Sequence, residues 1–265
     1  MILKVLIIIG AIYFSILVFL FVFQRNILFV PNRSTPSITE TNVSEMSDVN
    51  IETTDGLTLL SWFYRGKVEK PLIIYFQGNA GNISDRDYKA RFLIDNGFSV
   101  LLLGYRGYGG NKGQPSEEGL RKDGEAALEF ANREGFEASN TVLYGESLGT
   151  GVVVDLGTVA KFKGIVLEAP YTSIEALAKK SYWFIPLRFL LKDKFDSISK
   201  VSQLTSPTLV VHGDSDRVIN MDYGKQLYDA IPQPKNFAAF PGGGHSNLFD
   251  FGAGIEILSF INSLK

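Results

Sequence analysis

The sequence predicts an α/β domain with a mostly parallel, twisted sheet that helices cover on both faces, preceded by an N-terminal helix long enough to cross a membrane. Three observations support this prediction. Short apolar runs alternate with helical patterns over most of the chain, an Asp-Gly turn signal stands at the start of this alternation, and an uncharged apolar stretch lies near the N-terminus. With 265 residues, of which 45% are hydrophobic and 20% charged, the chain can bury the core of one such domain.

The composition excludes several kinds of site. Lys and Arg number 26 against 28 Asp and Glu, so no overall positive field favours a nucleic-acid partner. The sequence has no cysteine, which removes disulfides, thiolate metal sites and a cysteine nucleophile. It has two histidines, His212 and His245, so any mechanism that needs an imidazole must use one of them.

The apolar stretch near the N-terminus predicts a membrane anchor over residues 1–25. Residues 5–23 carry no charge, and at a rise of about 1.5 Å per residue they reach roughly 28 Å, close to the bilayer hydrocarbon thickness of about 30 Å. A cleaved signal peptide and a buried helix are the competing interpretations, but “FLFVFQRNILF” lacks the small residues of a cleavage site. We therefore expect a single-pass membrane protein that contacts lipid through residues 5–23.

The charges beside the anchor leave its orientation open. Lys4 and the amino terminus before the span nearly balance Arg25 and Arg33 after it. Because the leading tail is very short, we expect an external or lumenal position for the rest of the chain.

A polar segment separates the anchor from the folded part of the chain. “PNRSTPSITETNVSEMSDV” has neither a helical nor a strand period, and it predicts a loosely attached linker over residues 26–49 and a folded domain over residues 50–265. At the start of that domain, “NIETTDGLTLLSWFY” alternates around Asp55-Gly56, which predicts a hairpin and hence an antiparallel pair at the start of the sheet.

Six apolar runs follow the hairpin, and they predict strands that are buried on both faces. The runs are “PLIIYF” from Pro71, “FSVLLL” from Phe98, “TVLYG” from Thr141, “GIVLEAP” from Gly164, “PTLVVHG” from Pro207 and “NFAAF” from Asn236. Helical patterns such as “DRDYKARFLIDNG” and “SEEGLRKDGEAALEFANREG” lie between them and supply the covering helices. In such a sheet, functional residues gather in the loops beyond the carboxyl ends of the strands.

The loop after “TVLYG” carries the first candidate. “GESLGTG” places Ser147 between glycines and fits the G-x-S-x-G pattern of a tight strand-to-helix turn, in which glycines avoid clashes and the hydroxyl meets the positive end of a helix. A glycine-rich loop that only packs a helix against a strand is the alternative interpretation. The choice depends on whether the chain supplies a base for the hydroxyl.

A serine hydroxyl needs an imidazole to accept its proton, and the imidazole needs a carboxylate to hold its tautomer. “FPGGGHSN” places His245 in a loop after the last run, and “VVHGDSDRVI” places Asp214 and Asp216 at the end of the run before it. Spacing alone does not decide between the aspartates, although Asp214 suits an Asx-turn that accepts a bond from the N–H two residues on. We interpret His212, inside that run, as a structural histidine and predict Ser147 and His245 as nucleophile and base.

The loop “YFQGNAGN” is the candidate for an oxyanion site, because a tetrahedral intermediate needs donors aimed at its developing charge. We expect one backbone donor from Asn79 and another from Leu148, the residue after the proposed nucleophile. An ordinary turn with a helix N-cap at Asn82 or Ser84 is the structural interpretation of the same loop, and both interpretations can hold together.

An ordered set of motifs over nearly the whole chain resembles the α/β-hydrolase superfamily. The motifs are “QRNILFVP”, “FQGNAGN”, “YRGYGGNKGQPSEEG”, “GESLGTG”, “EAPYTS”, “HGDSDRVI” and “GGGHSN”. In particular, the chain looks like the small membrane-anchored serine hydrolases related to fission-yeast and animal alpha/beta-hydrolase-domain proteins and to bacterial serine-aminopeptidase-like hydrolases. The resemblance implies the α/β-hydrolase fold over a catalytic domain of residues 50–265.

The resemblance also assigns roles to site residues. It implies Ser147 as nucleophile, Asp216 and His245 as its triad partners, and Asn79 and Leu148 as oxyanion donors, with Asp216 preferred over Asp214 because the family's “HG-x-x-D-x-x-V” aspartate is the triad acid. The sequence departs from the family pattern at two positions. A glutamine, at position 77, replaces a common histidine, and a glycine, at position 104, replaces a frequent aspartate.

An apolar and aromatic stretch, “SYWFIPLRFLLKDKF” from Ser181 to Phe195, interrupts the alternation of strands and helices. Three interpretations stay open for it: a cap over an acyl pocket, a surface that touches lipid, and a helix packed into the core.

Together these observations predict a membrane-anchored serine hydrolase that cleaves a carboxylic ester, thioester or amide of a small-molecule or acylated substrate through an acyl-enzyme, without metal or organic cofactor. A catalytically silent hydrolase-fold protein that binds through its pocket is the alternative, and a membrane scaffold acting through “WFIPLRFLL” is a third. The sequence leaves the oligomeric state and the physiological substrate open.

Overall fold

The computed structural model describes residues 1–264 and shows a long helix followed by an eight-stranded sheet and a small two-stranded sheet. The strands are β1 Val30–Pro31, β2 Ser47–Glu52, β3 Thr58–Tyr64, β4 Leu72–Phe76, β5 Ala80–Gly81, β6 Ser99–Leu102, β7 Thr141–Glu146, β8 Gly164–Glu168, β9 Thr208–Gly213 and β10 Lys235–Phe240. The helices are α1 Ile2–Leu28, α2 Asp87–Asp95, α3 Glu117–Arg133, α4 Leu148–Gly157, α5 Ile174–Ser181, α6 Leu187–Leu190, α7 Met221–Ala230 and α8 Ala253–Ser263.

The main sheet has eight strands in the order β10-β9-β8-β7-β4-β6-β3-β2. The hairpin β2–β3 and its neighbour β6 pair antiparallel, and every other pair in this sheet is parallel. The predicted fold class, including the antiparallel start, is therefore confirmed. Since parallel strands end at the same edge, the loops after β4, β7, β9 and β10 all leave the sheet on one side.

Two apolar layers cover the sheet because successive strand residues point to opposite faces. In β4, Ile74 packs with Leu120 and Phe130 of α3, whereas Ile73 packs on the other face in a cluster with Leu93 of α2 and Ile257 of α8. Both faces of the central strands are thus buried, as their unbroken apolar runs indicate.

The segment between α1 and β2 packs against the domain. Phe29, Val43 and Met46 are buried, and β1 pairs in parallel with β5, with Val30 opposite Ala80. The loose attachment expected for this segment is therefore wrong, because its apolar residues fill core positions. Helix α1 ends at Leu28, and the division of the chain at residues 25 and 49 stays a prediction.

Residues 181–195, called the cap segment below, do not form a core helix. Trp183 is 79% exposed and Phe189 is 84% exposed, while helix α6 spans only four residues. The segment lies against α1, where Gln24 Nε2 donates to Leu190 O at 3.0 Å and Lys192 N donates to Gln24 Oε1 at 2.8 Å. Of the three interpretations, the packed core helix is excluded.

Candidate active site

The turn from β7 to α4 holds Ser147 in a strained backbone conformation. Its φ is 51° and its ψ is −117°, a region that residues other than glycine rarely adopt. The two glycines of the motif leave room for this turn: a Cβ on Gly149 would come within 2.1 Å of Phe76 O, and one on Gly145 within 2.8 Å of Thr150 N. The predicted tight strand-to-helix turn is present.

The loops after β7, β9 and β10 bring three predicted residues together. His245 Nε2 lies 3.0 Å from Ser147 Oγ, and His245 Nδ1 lies 2.7 Å from Asp216 Oδ2. A hydroxyl, an imidazole and a carboxylate are hydrogen-bonded here in the order that a serine triad requires. It joins residues 98 and 29 positions apart in the sequence.

Asp216 is held by its own loop. Its Oδ1 accepts the N–H groups of Val218 and Ile219, both at 2.8 Å, and His212 Nε2 lies 3.4 Å from Oδ2. Burial would raise the pKa of Asp216, but hydrogen bonds from His212, His245 and the Ile219 N–H outweigh it and hold the pKa well below the usual range. The carboxylate is therefore ionised at neutral pH and fixed in orientation.

Asp214 has a different task. Its Oδ1 accepts from Gly242 N at 2.8 Å, which ties the end of β9 to the glycine loop that carries His245. The Asx-turn expected at Asp214 is wrong; the side-chain bond to the N–H two residues on occurs at Asp216 instead. His212 contacts the loop of Asp216, since its Nε2 lies 2.9 Å from Ile219 O and 3.4 Å from Asp216 Oδ2, in agreement with a structural role.

The loop after β4 passes beside the serine, since a Cβ on Gly78 would lie 3.4 Å from Ser147 Cβ. Within residues 1–264, neither the N–H of Asn79 nor that of Leu148 has a hydrogen-bond acceptor. Asn79 O accepts from Val30 N at 2.9 Å and from Tyr108 Oη at 2.8 Å, which fixes the peptide. Two uncommitted donors therefore flank the serine.

The same loop also starts a helix. Asn82 accepts from Ser84 N and forms a capping box with Asp85 at the short 3₁₀ helix Ile83–Arg86. The N-cap interpretation of “QGNAGN” is thus correct at Asn82, and it coexists with the free N–H of Asn79.

Comparison with known proteins identifies the family of this chain. An uncharacterized Mycobacterium tuberculosis protein is 33% identical over 248 residues, which cover 92% of this chain and 88% of that protein. The alpha/beta hydrolase domain-containing protein WAV2 of Arabidopsis thaliana is 31% identical, over 89% of this chain and 85% of WAV2. This chain belongs to the α/β-hydrolase family.

Two further matches support the assignment. The family model of serine aminopeptidase S33 hydrolases matches residues 187–251. The structure of the Pyrococcus furiosus esterase Pf2001 shares the fold with a TM-score of 0.74 at 17% identity, over 89% of this chain and 97% of that one. The predicted resemblance is therefore confirmed.

The hydrolase departs from the family pattern at Gly104 for a steric reason. A Cβ there would lie 1.9 Å from Leu60 O, so the aspartate frequent at this position does not fit. The side chain of Asn111 binds strand β3 here, since its Oδ1 accepts a hydrogen bond from Leu60 N at 2.8 Å. At the other departure, Gln77 is buried, and its amide has no hydrogen-bond partner within the described residues.

A buried ion cluster lies directly behind the serine of the hydrolase. Lys89, which is 1% exposed, donates to Glu146 Oε2 at 3.1 Å and to both oxygens of Glu168 at 2.9 Å. Arg86 Nη2 adds a contact to Glu146 Oε1 at 3.3 Å. Glu146 precedes Ser147, and Glu168 O accepts the Ser147 N–H at 2.9 Å, so the cluster holds both sides of the turn.

Charge balance explains how this cluster stays ionised. Burial would lower the pKa of Lys89, but Glu146 and Glu168 raise it well above its usual range. Burial would raise the pKa of Glu146, and the charges of Lys89 and Arg86 hold it well below its usual range. The sequence signal for this cluster is Glu146 itself, because an acidic residue at the end of a buried strand needs a nearby cation to stay charged.

We predict that Lys89→Met lowers the free energy of unfolding by about 3–5 kcal/mol at pH 7, because it removes the ion-pair partner of the buried Glu168 and leaves Glu146 with Arg86 alone. Chemical denaturation at pH 7 measures this.

Lys225→Met is the matched control, since Lys225 is an exposed helical lysine. Equal stability of the two variants at pH 7 would contradict the role of the cluster.

Proposed function

We propose that this α/β-hydrolase is a membrane-anchored serine hydrolase that cleaves a carboxylic ester, thioester or amide through an acyl-enzyme intermediate. The observation that carries the proposal is the hydrogen-bond chain from Ser147 through His245 to Asp216. The two unpaired N–H groups beside Ser147 and the family relationship support it.

In the proposed reaction, Ser147 Oγ attacks the carbonyl carbon while His245 Nε2 accepts the hydroxyl proton. Asp216 holds Nδ1–H of His245 and stabilises the imidazolium that forms. The carbonyl oxygen becomes an oxyanion that accepts the N–H groups of Asn79 and Leu148. Leu148 opens helix α4, so the positive end of that helix adds to the stabilisation.

The tetrahedral intermediate then collapses. The bond to the alcohol, thiol or amine breaks, and His245 returns its proton to the leaving group. A water molecule attacks the acyl-Ser147 carbonyl with His245 again as base, and collapse of the second intermediate releases the acid and restores the serine. Each proton taken by His245 is returned within its half-reaction.

We predict that Ser147→Ala abolishes both fluorophosphonate labelling and ester turnover while the thermal midpoint stays nearly unchanged. The hydroxyl is the attacking group, and its removal changes little packing. Labelling of the purified protein, p-nitrophenyl ester hydrolysis and a thermal scan measure this.

The exposed Ser139→Ala serves as the control. Wild-type turnover in Ser147→Ala would contradict the assignment, and absence of labelling in the wild type would favour a catalytically silent binding protein.

We predict that Asp216→Asn lowers kcat on the order of 10⁴-fold with the fold intact, because an amide at this position leaves His245 in the wrong tautomer. Asp214→Asn is the same chemical change two residues away, and its amide oxygen can still accept from Gly242 N. Its kcat should stay close to that of the wild type. A larger catalytic loss in Asp214→Asn than in Asp216→Asn would overturn the choice of triad acid.

Helix α1 supports the membrane assignment. None of its side chains is buried, and its most apolar window has a mean hydropathy of 3.0. Exposure of such a helix to water is unfavourable, and its length matches a bilayer. We propose that it is an uncleaved single-pass anchor, with the catalytic domain on the external or lumenal side.

We predict that the full-length protein stays in the membrane pellet after alkaline carbonate extraction. A variant with both Ile9→Arg and Ile16→Arg should be released, because two charges in the apolar run oppose insertion. Release of the wild type would contradict the anchor, and protease treatment of sealed cells reports the side of the catalytic domain.

A further inference from the structure

A cavity of about 300 Å³ lies between α1, α5 and the cap segment. Its wall includes Leu20, Gln24 and Leu28 of α1, Leu177 of α5, Ile185 of the cap segment, and Asn79. The volume falls at the lower end of the range of about 300–1,000 Å³ that is typical of ligand pockets. Most of these lining side chains are apolar, so the cavity suits an apolar chain.

The cavity reaches the proposed oxyanion site through Asn79. The end of α1 holds this residue directly, since Asn79 Nδ2 donates to Leu28 O at 2.9 Å and Val30 N donates to Asn79 O at 2.9 Å. Asn79 thus belongs both to the loop beside Ser147 and to the wall of the cavity. Helix α1 both positions the oxyanion loop and borders the space beside it.

One face of α1 lines the cavity and contacts the cap segment. Leu20, Gln24 and Leu28 recur every four residues and so share a face, and they are half-buried while the adjacent residues within α1 are exposed. The amide of Gln24 both donates to Leu190 O and accepts from Lys192 N. A polar side chain in an apolar helix needs such partners, and the cap segment provides them.

The contacts between α1 and the cap segment extend to the depth of one leaflet. They begin at Tyr13, whose hydroxyl donates to Phe184 O at 2.7 Å, and end at Arg25, which binds Asp193 at 2.7 Å. This is a distance of about 18 Å along the helix, against a hydrocarbon thickness of about 30 Å. The exposed rings of Trp183 and Phe189 then face lipid instead of water.

From these contacts we infer that the C-terminal half of α1 is a wall of the substrate site, and that its occupant is the acyl chain of an ester or thioester embedded in the bilayer. The inference rests on the proposed function and names the substrate class. The chain enters between α1 and the cap segment from the adjacent leaflet, and the carbonyl reaches Ser147 past Asn79. Helix α1 is thus a specificity-determining element as well as an anchor.

The test uses full-length protein in phosphatidylcholine vesicles and compares kcat/KM for p-nitrophenyl acetate and p-nitrophenyl hexadecanoate. Each methylene buried in the cavity is worth about fourfold in affinity. In Leu20→Trp, which fills the cavity, the ratio of hexadecanoate to acetate kcat/KM should fall at least about tenfold. Leu6→Trp makes the same change on the same helix at a residue that is 59% exposed and away from the cavity, and it should keep the wild-type ratio.

A second readout does not need turnover. Ser147→Ala in the same vesicles is irradiated with a hexadecanoate ester that carries a mid-chain diazirine, and crosslinks are mapped by mass spectrometry. We expect crosslinks on α5, residues 174–181, that excess unmodified hexadecanoate ester displaces. They should be lost when Leu20→Trp is added and kept when Leu6→Trp is added.

The two readouts separate the inference from the proposed function. Displaceable α5 crosslinks in a protein whose wild type hydrolyses no ester would support the cavity assignment and contradict the chemistry. Ester hydrolysis with an unchanged chain-length ratio in Leu20→Trp, or without α5 crosslinks, would overturn the inference and leave the serine hydrolase assignment standing.

Discussion

The arrangement around Ser147 depends on the ion pairs that the buried Lys89 forms with Glu146 and Glu168. Strands β7 and β8 run in parallel, and their register sets Glu146 opposite Glu168 at the edge where the serine leaves the sheet. Two buried carboxylates that meet at one ammonium group would repel each other without a cation, and Lys89 from α2, together with Arg86 beside Glu146, balances their charge. The left-handed backbone at Ser147 persists because both of its flanks are fixed in this way.

Hydrogen bonds also fix the orientation of the two aspartates near His245. Asp216 uses one oxygen for its own loop and the other for His245, while Asp214 joins that loop to the glycine turn before His245. His212 sits beneath this loop and contacts Ile219 O. The two aspartates and the second histidine therefore divide the work: one orients the imidazole, and the others hold the loops that carry the pair.

Helix α1 is connected directly to the loop beside the candidate site. Helix α1 ends at Leu28, whose carbonyl oxygen accepts a hydrogen bond from the Asn79 side chain. The chain then continues as β1, which pairs with β5. Movement of the helix would be transmitted to the loop that passes beside Ser147. The segment “QRNILFVP” is thus packed against the folded domain and does not form a flexible tether.

The sequence alone determined the features that neighbouring residues encode. The apolar runs and the helical patterns predicted a mostly parallel sheet and its covering helices. The long uncharged stretch predicted the helix over residues 5–23, and the positions at strand ends singled out Ser147, His245 and the two aspartates. These features are local because a strand, a tight turn and an apolar helix each depend on residue types within one short segment.

Tertiary structure alone decided the contacts between distant segments. The Lys89–Glu168 pair spans 79 residues, and the Asn79–Leu28 bond spans 51. Three further features depended on which surfaces meet in the folded domain. They are the exposure of residues 181–195, the packing of residues 29–46 and the separate partners of Asp214 and Asp216. Sequence periodicity reports which face of an element is apolar; it carries no information on which other element covers that face.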